Sequence, residues 1–194
     1  MSDVNLQAAV FSATFEGVAR RFRNQMSAGL ISELRARGLD FDDLKPAYPL
    51  ELWEFLVRRL SSELYPGVPE AAAWRRLGRE FIEGYAQTLI GRSTLALGRI
   101  IGTRRFMERL GRNLRSGGNF AQVDVHVIAP NEVQIESRID PAFLAHWAGK
   151  ETVMHQYRVG VVEGALLAVG AKPDVELLSV DPARQMGTYR ARWT

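Results

Sequence analysis

The sequence has no cysteine among its 194 residues, and this absence excludes disulfide bonds and thiolate metal sites. It has only three histidines, His126, His146 and His155, which are too few and too scattered to form a metal-binding motif. We therefore expect neither a metal site nor a cofactor.

Long apolar runs are also missing. No uninterrupted apolar stretch approaches the ~18 residues that a membrane helix needs, and the first residues lack the basic segment and apolar run of a signal peptide. A chain without cysteine suits a reducing compartment. The sequence therefore predicts a cytoplasmic protein that does not span a membrane.

The sequence signatures of common enzyme classes are absent. The chain has no Gly-x-Ser-x-Gly motif of hydrolases and no Gly-x-Gly-x-x-Gly motif of dinucleotide-binding proteins. Its carboxylates do not cluster with a nucleophile and a histidine, so no set of nucleophile, base and orienting group can be assembled. We expect no enzymatic activity.

Lysine is scarce, and arginine supplies nearly all of the positive charge. The net charge is only +3, yet residues 75–115 carry an excess of seven cations, all of them arginines. A regional excess of this kind is more informative than the total charge, because it predicts a basic surface on one part of the molecule.

Apolar residues at helical spacing predict a helical N-terminal half. A short extended segment and a helix are expected within residues 8–24. Ser27 is suited to cap a helix that runs to about Arg37, and Gly38 fits the signal that ends it. Further helices are expected after Pro49 and after Pro69, because a proline is tolerated where a helix begins.

Three glycines, Gly84, Gly91 and Gly98, follow one another at intervals of seven residues. Seven residues is close to two helical turns, so we expect the three to lie near one helical face. Glycine in a helix costs up to ~1 kcal/mol relative to alanine, so another group should approach this face closely. That group is either a ligand or the helix that carries Gly160 and Gly164.

Large aromatic side chains lie near this glycine face. We expect them to form the apolar wall of a ligand cavity; the alternative is an ordinary packed core. A ligand cavity would need a volume of roughly 300 Å³ or more. The predicted ligand-binding residues are Trp74, Phe81, Gly84, Tyr85, Gly91 and Gly98.

Arginines mark one side of a helix predicted over residues 103–115. Arg105, Arg109 and Arg112 fall within a narrow arc, opposite an apolar face. This arc is either an ordinary solvated face or a site for an anion or an acidic protein partner. Because no aromatic side chain lies beside these arginines to stack on bases, nucleic acid is not the expected partner.

At Phe120 the spacing of apolar residues changes to alternation, which is typical of half-buried strands. Residues 157–169 are apolar nearly all round and predict a buried helix, whereas residues 141–155 give no clear signal. The strands are expected at 123–127, 133–139, 175–180 and 188–193.

This order of elements predicts an α+β fold in a single domain, residues 1–194. Residues 1–116 form a mainly helical layer, and residues 117–194 form a ββαββ antiparallel sheet unit with a buried helix. We attribute Gly160 and Gly164 on that helix to close packing of the helix on the sheet.

A pattern of glycine and aromatic positions extends over nearly the whole chain. It comprises Tyr48, Pro49, Trp53, Leu77–Tyr85, Thr88, Gly91, Arg92, Gly102, Gly160, Gly164, Gly170, Ala171, Tyr189 and Trp193. This pattern resembles that of a paralogous protein family expanded in myxobacteria, whose function is unassigned. Its motifs are structural positions rather than chemistry.

That family resembles the ligand-binding fold shared by haem nitric-oxide sensors, vinyl-reductase-like (V4R) domains and the small subunits of the TRAPP vesicle-tethering complex. The resemblance implies a cavity between helices and sheet that holds an apolar ligand. The haem sensors carry a Tyr-x-Ser-x-Arg signature. Here Tyr189 is followed by Ala191 where serine is expected, and arginine is out of place, so the resemblance does not imply haem.

The function expected from these observations is that of a non-enzymatic cytoplasmic binding module, a sensor or adaptor. Its ligand would be an apolar small molecule or an acyl chain. The alternative is a protein-interaction or nucleic-acid-associated regulator that uses the arginine face and binds no ligand. We also expect a homodimer, because the helical layer has more apolar faces than one sheet can cover.

Overall fold

A computed structural model of the protein describes residues 7–114, 117–147 and 151–194 and consists of a helical layer followed by a four-stranded sheet. The first part contains β1 (Ala9–Phe11), α1 (Ser12–Phe22), α2 (Ala28–Ala36), β2 (Ala47–Pro49), α3 (Leu50–Leu64), α4 (Glu70–Tyr85), α5 (Leu89–Ile101), α6 (Thr103–Glu108) and α7 (Leu110–Leu114). The second part contains β3 (Ala121–Ala129), β4 (Glu132–Ile139), α8 (Glu151–Ala168), β5 (Pro173–Asp181) and β6 (Met186–Trp193). The predicted α+β class, with helices first and an antiparallel ββαββ unit after them, is confirmed.

Local sequence signals start and end the N-terminal helices. The Ser27 hydroxyl accepts a hydrogen bond from the backbone N–H of Leu30 at 3.1 Å and so caps α2. Gly38, just beyond this helix, has a φ of +88°, in the left-handed region that favours glycine. Pro49 stands directly before α3. These predicted boundaries are confirmed.

The three regularly spaced glycines do not share a helical face, and that prediction is wrong. α4 ends at Tyr85, and Thr88 caps α5 by accepting a hydrogen bond from the N–H of Gly91 at 3.0 Å. Gly84 therefore lies on one helix, and Gly91 and Gly98 lie on the next. The interval between Gly84 and Gly91 includes the end of α4 and the start of α5, so the helical period does not continue from one glycine to the other.

The single helix predicted over residues 103–115 is divided into α6 and α7. The backbone N–H groups of Arg109 and Arg112 each bond to a carbonyl only three residues earlier, which tightens the chain between the two helices. Gly111 lies so close to the Val123 carbonyl of β3 that a Cβ there would overlap it. The helix is therefore divided at the place where its backbone packs closely against the sheet.

The sheet has the strand order β3-β4-β6-β5, and its neighbouring strands are antiparallel. In β4 every second side chain is buried, and these inward residues include Ile135 and Ser137. In β6, Tyr189 lies opposite Ile135 and Gly187 lies opposite Ser137. Ser137 and Tyr189 are therefore diagonal neighbours on the inward face.

Helix α8 packs most extensively against α4, whereas helix-to-sheet packing was the expected reason for its glycines. A Cβ on Gly160 would overlap the carbonyl oxygen of Arg75, and a Cβ on Gly164 would lie 2.6 Å from a backbone carbonyl of α4. From the other side, a Cβ on Gly78 would overlap the Tyr157 carbonyl. The attribution of these glycines to the sheet is wrong, because the backbone that approaches them belongs to a helix.

An ion pair ties the same helix contact to the sheet. Arg75 lies 2.5 Å from Glu163 of α8 and donates to the Val175 carbonyl of β5 at 2.9 Å. One hydrophobic cluster contains buried side chains from both the helical layer and the sheet. Within the described ranges, no helix combines the length and apolar character needed to cross a membrane.

Candidate functional site

A cavity of about 170 Å³ lies where the helical layer, α8 and the sheet meet. Most of its wall is apolar. Side chains that form it include Trp53, Leu95, Phe106, Leu110, Val123 and Val161. The cavity lies between helices and sheet, as the resemblance implies, but its volume does not reach the roughly 300 Å³ that the predicted ligand cavity requires.

Two of the three predicted aromatic wall residues line this cavity. Phe81 and Tyr85 of α4 contribute to the wall, together with Ile82. Trp74 does not: it is only 1% exposed and lies beneath the Arg58 guanidinium of α3, 5.6 Å from its ring centroid. Trp74 is therefore core on the side of α4 that meets α3.

The three predicted glycines make separate packing contacts and are not among the residues that line the cavity. Gly84 lies against the backbone of α1. A Cβ on Gly91 would overlap the carbonyl oxygen of Tyr85, and a Cβ on Gly98 would lie 2.6 Å from the Phe106 ring. These glycines set how closely the elements around the cavity approach one another.

Aromatic rings pack in contact along one side of the cavity. Trp53 meets Phe81 and Tyr157 edge-on, with centroid distances of 6.2 and 5.7 Å. Phe81 stacks on Tyr85 at 5.7 Å. Such pairs are favoured by ring electrostatics as well as by burial, so this wall is held in a defined geometry.

Polar atoms interrupt the apolar wall on the side of the sheet and α8. The hydroxyl oxygens of Ser137 and Tyr157 and the Nη2 of Arg158 are buried and have no hydrogen-bond partner among the described residues. Burial raises the pKa of Tyr157 well above its usual value of 10, so its hydroxyl is a neutral donor at physiological pH.

Tyr189 brings a further hydroxyl to this place. It lies 2.5 Å from Nδ1 of His155, and its pKa is raised by burial and lowered in part by the nearby Arg158. Gly187 makes room for both groups, since a Cβ there would lie 2.6 Å from the Tyr189 oxygen. His155 is itself only 3% exposed.

Sequence reasoning did not find these polar residues. The available signals were weak: Ser137 occupies a position of β4 where the buried alternation would place an apolar residue, and Arg158 is a cation near the start of a largely apolar helix. Neither signal identifies a site until the register of the sheet and the position of α8 are known.

The predicted arginine face is exposed. Arg105 on α6, Arg109 between the helices and Arg112 on α7 are all accessible to solvent, and none forms an ion pair with another described residue. The nearby Arg104 pairs with Glu108 at 3.1 Å. The three remain free to meet solvent or an anionic partner.

The histidines lie in different environments. His126 is exposed on β3, His155 is buried beside Tyr189, and the side chain of His146 lies outside the described residues. In the described part of the chain, no three His, Asp or Glu side chains are grouped to hold a metal ion.

Solved structures with the same fold are H-NOX proteins. An H-NOX variant from T. tengcongensis is 17% identical with a TM-score of 0.63, covering 94% of this chain and 97% of its own. A structure concerned with haem distortion in the H-NOX family is 15% identical with a TM-score of 0.56 and covers 93% of both chains. An oxygen-binding H-NOX domain related to soluble guanylate cyclases is 13% identical with a TM-score of 0.57, covering 94% and 92%.

These likenesses establish the fold, and they confirm the predicted relation to the fold of haem nitric-oxide sensors. The family described as "Protein of unknown function (DUF2378)" matches residues 8–194. The search of curated proteins gives no match.

The cavity residues do not fit the haem that this fold holds elsewhere. Haem iron is bound in proteins by His, Cys, Met or Tyr side chains. No described residue that lines the cavity is a histidine; Met154 lines it, but methionine ligates haem iron together with a histidine. Burial raises the pKa of Tyr157 and Tyr189, which disfavours either as a phenolate ligand. The volume of about 170 Å³ is also too small for a porphyrin. Drug-sized ligands already occupy pockets of roughly 300 Å³ or more, and a porphyrin is larger than these ligands.

Proposed function

This chain belongs to the DUF2378 family and has the H-NOX fold, and from these premises we propose that it is a non-enzymatic binding module whose cavity takes up a small apolar ligand. Ligand uptake would make it a sensor or adaptor. The single observation that supports this most directly is the mostly apolar cavity of about 170 Å³ between the helical layer, α8 and the sheet.

The volume limits the ligand. An apolar cavity of about 150 Å³ in another protein binds benzene, so this cavity suits a body of similar size or a short part of an acyl chain. Larger apolar molecules would require the surrounding helices to move. We propose that the module works in the cytoplasm.

The absence of turnover is also part of the proposal. Among the described wall residues, the groups that could exchange a proton include the phenols of Tyr157 and Tyr189, whose pKa values burial raises, and the Arg158 guanidinium, which stays protonated. Such groups bind and orient a ligand, whereas acid-base work at neutral pH needs a group with a pKa near 7.

Filling the cavity tests this function. Ala165 lines the cavity and is 4% exposed, so Ala165→Leu places three extra carbon atoms in it. The matched control is Ala168→Leu, at the end of the same helix and away from the cavity. Benzene and toluene should shift the methyl NMR signals of Val161 and Leu95 in the wild type and in the control.

In Ala165→Leu we expect at least tenfold weaker binding of both probes. A wild-type protein whose methyl signals do not respond to either probe at millimolar concentration would contradict the proposal. Equal binding by the two variants would show that the probes bind somewhere else.

The second candidate function is binding of an acidic protein partner through Arg105, Arg109 and Arg112. The observation that favours it is their shared exposure without ion pairs to other described residues. Electrostatic binding of this kind weakens steeply with salt, whereas uptake by an apolar cavity is nearly indifferent to salt. Titrations at two ionic strengths therefore distinguish the two functions.

We further propose that the module is a homodimer. Apolar surface in the helical layer is consistent with this, since α5 exposes Leu89, Ile90, Leu97 and Ile100. Light scattering at micromolar concentration should give twice the mass of the chain, and the mass of one chain would contradict the proposal.

A further inference from the structure

Three buried polar atoms at the cavity wall lack a hydrogen-bond partner within the described part of the chain. They belong to Ser137 and Tyr157, which are 3% and 6% exposed, and to the Nη2 of Arg158. An unsatisfied buried polar group costs roughly 1–3 kcal/mol, so native proteins keep few of them. Their concentration at one cavity indicates that a polar part of a ligand completes them.

The sheet register and the position of α8 bring Ser137, Tyr189 and Arg158 to the same side of the cavity. Ser137 on β4 lies opposite Gly187 on β6, and the Tyr189 hydroxyl occupies the space above that glycine. Arg158 is near enough to Tyr189 to lower the pKa of its hydroxyl, against the larger effect of burial. Tyr157, the adjacent residue on α8, packs its ring against Trp53 and Phe81. The sheet and α8 thus present the Arg158 guanidinium beside the hydroxyls of Ser137 and Tyr189.

The chemistry of these groups specifies what they can bind. A guanidinium only donates hydrogen bonds, so the missing partner must be an acceptor. Arg158 is the one charged residue among the described residues of the cavity wall, and no carboxylate there balances it. A carboxylate has two oxygens that match the guanidinium fork and can also accept from two hydroxyls.

We propose that the ligand is a small apolar monocarboxylate. Its carboxylate accepts hydrogen bonds from Arg158 and Ser137, and its apolar body, of about the size of a benzene ring, lies among the aromatic and aliphatic side chains. This inference rests on the proposed function, because it names the class of ligand for the same cavity. A dicarboxylate is excluded by the single cation of the described wall.

Three probes separate this inference from the function on which it rests. Benzoate carries the carboxylate, benzamide has nearly the same shape without the charge, and benzene has only the ring. Calorimetric titration of the wild-type protein at pH 7 should give binding of benzoate at least tenfold tighter than of benzamide, with weaker binding of benzene.

The variant Arg158→Met keeps an unbranched apolar stem and removes the guanidinium with its charge. It should lower benzoate affinity at least tenfold and leave benzene binding within twofold of the wild type. The matched control is Arg79→Met, an exposed arginine on α4 that does not line the cavity. The control should bind all three probes as the wild type does.

The outcomes are distinct. If benzene and benzamide bind as well as benzoate, the inference is wrong and the proposed function stands. If none of the three binds, both are wrong. The comparison of benzoate with benzamide uses the wild-type protein, so it decides the question even if Arg158→Met fails to fold. Ser137→Ala should then lower benzoate affinity without changing benzene binding.

Discussion

Burial controls the protonation of several tyrosines. Tyr157 and Tyr189 lie at the cavity, and loss of hydration raises the pKa of each above 10. Burial, with a smaller contribution from Glu80, raises the pKa of Tyr65 to about 12. In the unfolded chain the same side chains ionise near pH 10, so folding and proton binding are linked.

This linkage predicts a loss of stability at alkaline pH. Because the folded pKa values are raised, their contribution is complete below pH 10 and is lost as the pH rises toward the folded values. Each tyrosine should lower the free energy of unfolding by up to about 1.4 kcal/mol per pH unit above 10. Urea unfolding between pH 8 and 12 measures the slope.

Tyr157→Phe is the control for this effect, because the Tyr157 hydroxyl has no partner among the described residues. The variant should show a smaller slope above pH 10. An unchanged slope would mean that Tyr157 ionises as readily in the folded protein as in the unfolded one.

Single residues differ in how much of their role the sequence reveals. Ser27 and Gly38 act within a few residues of chain, so cap and turn chemistry predicts them. Phe81 could be predicted at a wall because helical spacing gives its face. Ser137 and Arg158 could not, since their meaning depends on a register and a helix position that only tertiary packing sets.

At the scale of elements, α4 and α8 pack with their backbones in close contact. Gly160 lies against the Arg75 carbonyl, and Arg79 N would be 2.9 Å from an added Cβ. Both groups are backbone and cannot move aside without shifting a helix. The sequence predicts that another element packs closely against these glycines. It does not predict which element this is, because no local pattern specifies the packing partner.

Gly160→Ala should therefore destabilise the protein. We expect a loss of about 2 kcal/mol or more in the free energy of unfolding, because the helices must separate to admit the methyl group. The matched control is Gly29→Ala in α2, where a Cβ meets only the Ser27 hydroxyl at 3.8 Å. That variant should gain up to about 1 kcal/mol from helix propensity. Urea denaturation of both variants gives the comparison, and equal stabilities would refute the packing account.

The arginine face belongs to α6 and α7. Arg105, Arg109 and Arg112 are exposed, so changing all three to Glu should cost no more than ~0.5 kcal/mol at each position. Circular dichroism and thermal unfolding would register a larger effect. Large unfolding would show that the side chains are held in contacts, whereas an intact fold with lost binding of an acidic partner would favour the second candidate function.

Helix boundaries were predicted less well than helix identities. The start of α3 at Pro49 follows from residue chemistry, whereas the end of α4 does not, since Thr88 fits both an apolar stripe and a cap. The division of α6 from α7 depends on Gly111 meeting β3. Helix boundaries that depend on tertiary contacts cannot be predicted from the spacing of apolar residues.

For the whole molecule, the order of elements was enough to predict the architecture. Alternating strands around one apolar helix, preceded by amphipathic helices, have few ways to bury their apolar faces. The H-NOX fold is one of them, and identity of 13–17% preserves it. The fold does not predict which ligand the cavity binds, because proteins can keep a fold while the residues that bind a ligand change.

The cavity also affects the stability of the whole molecule. Empty apolar volume lowers stability, so Ala165→Leu, which fills part of the 170 Å³, should raise the free energy of unfolding by about 1–2 kcal/mol without ligand. A ligand at 100 times its dissociation constant should add about 2.7 kcal/mol to the wild type and far less to this variant. Thermal unfolding with and without benzoate measures both effects. If the leucine destabilises the protein and benzoate still stabilises it fully, the packing around Ala165 leaves no usable cavity and the ligand binds at another site.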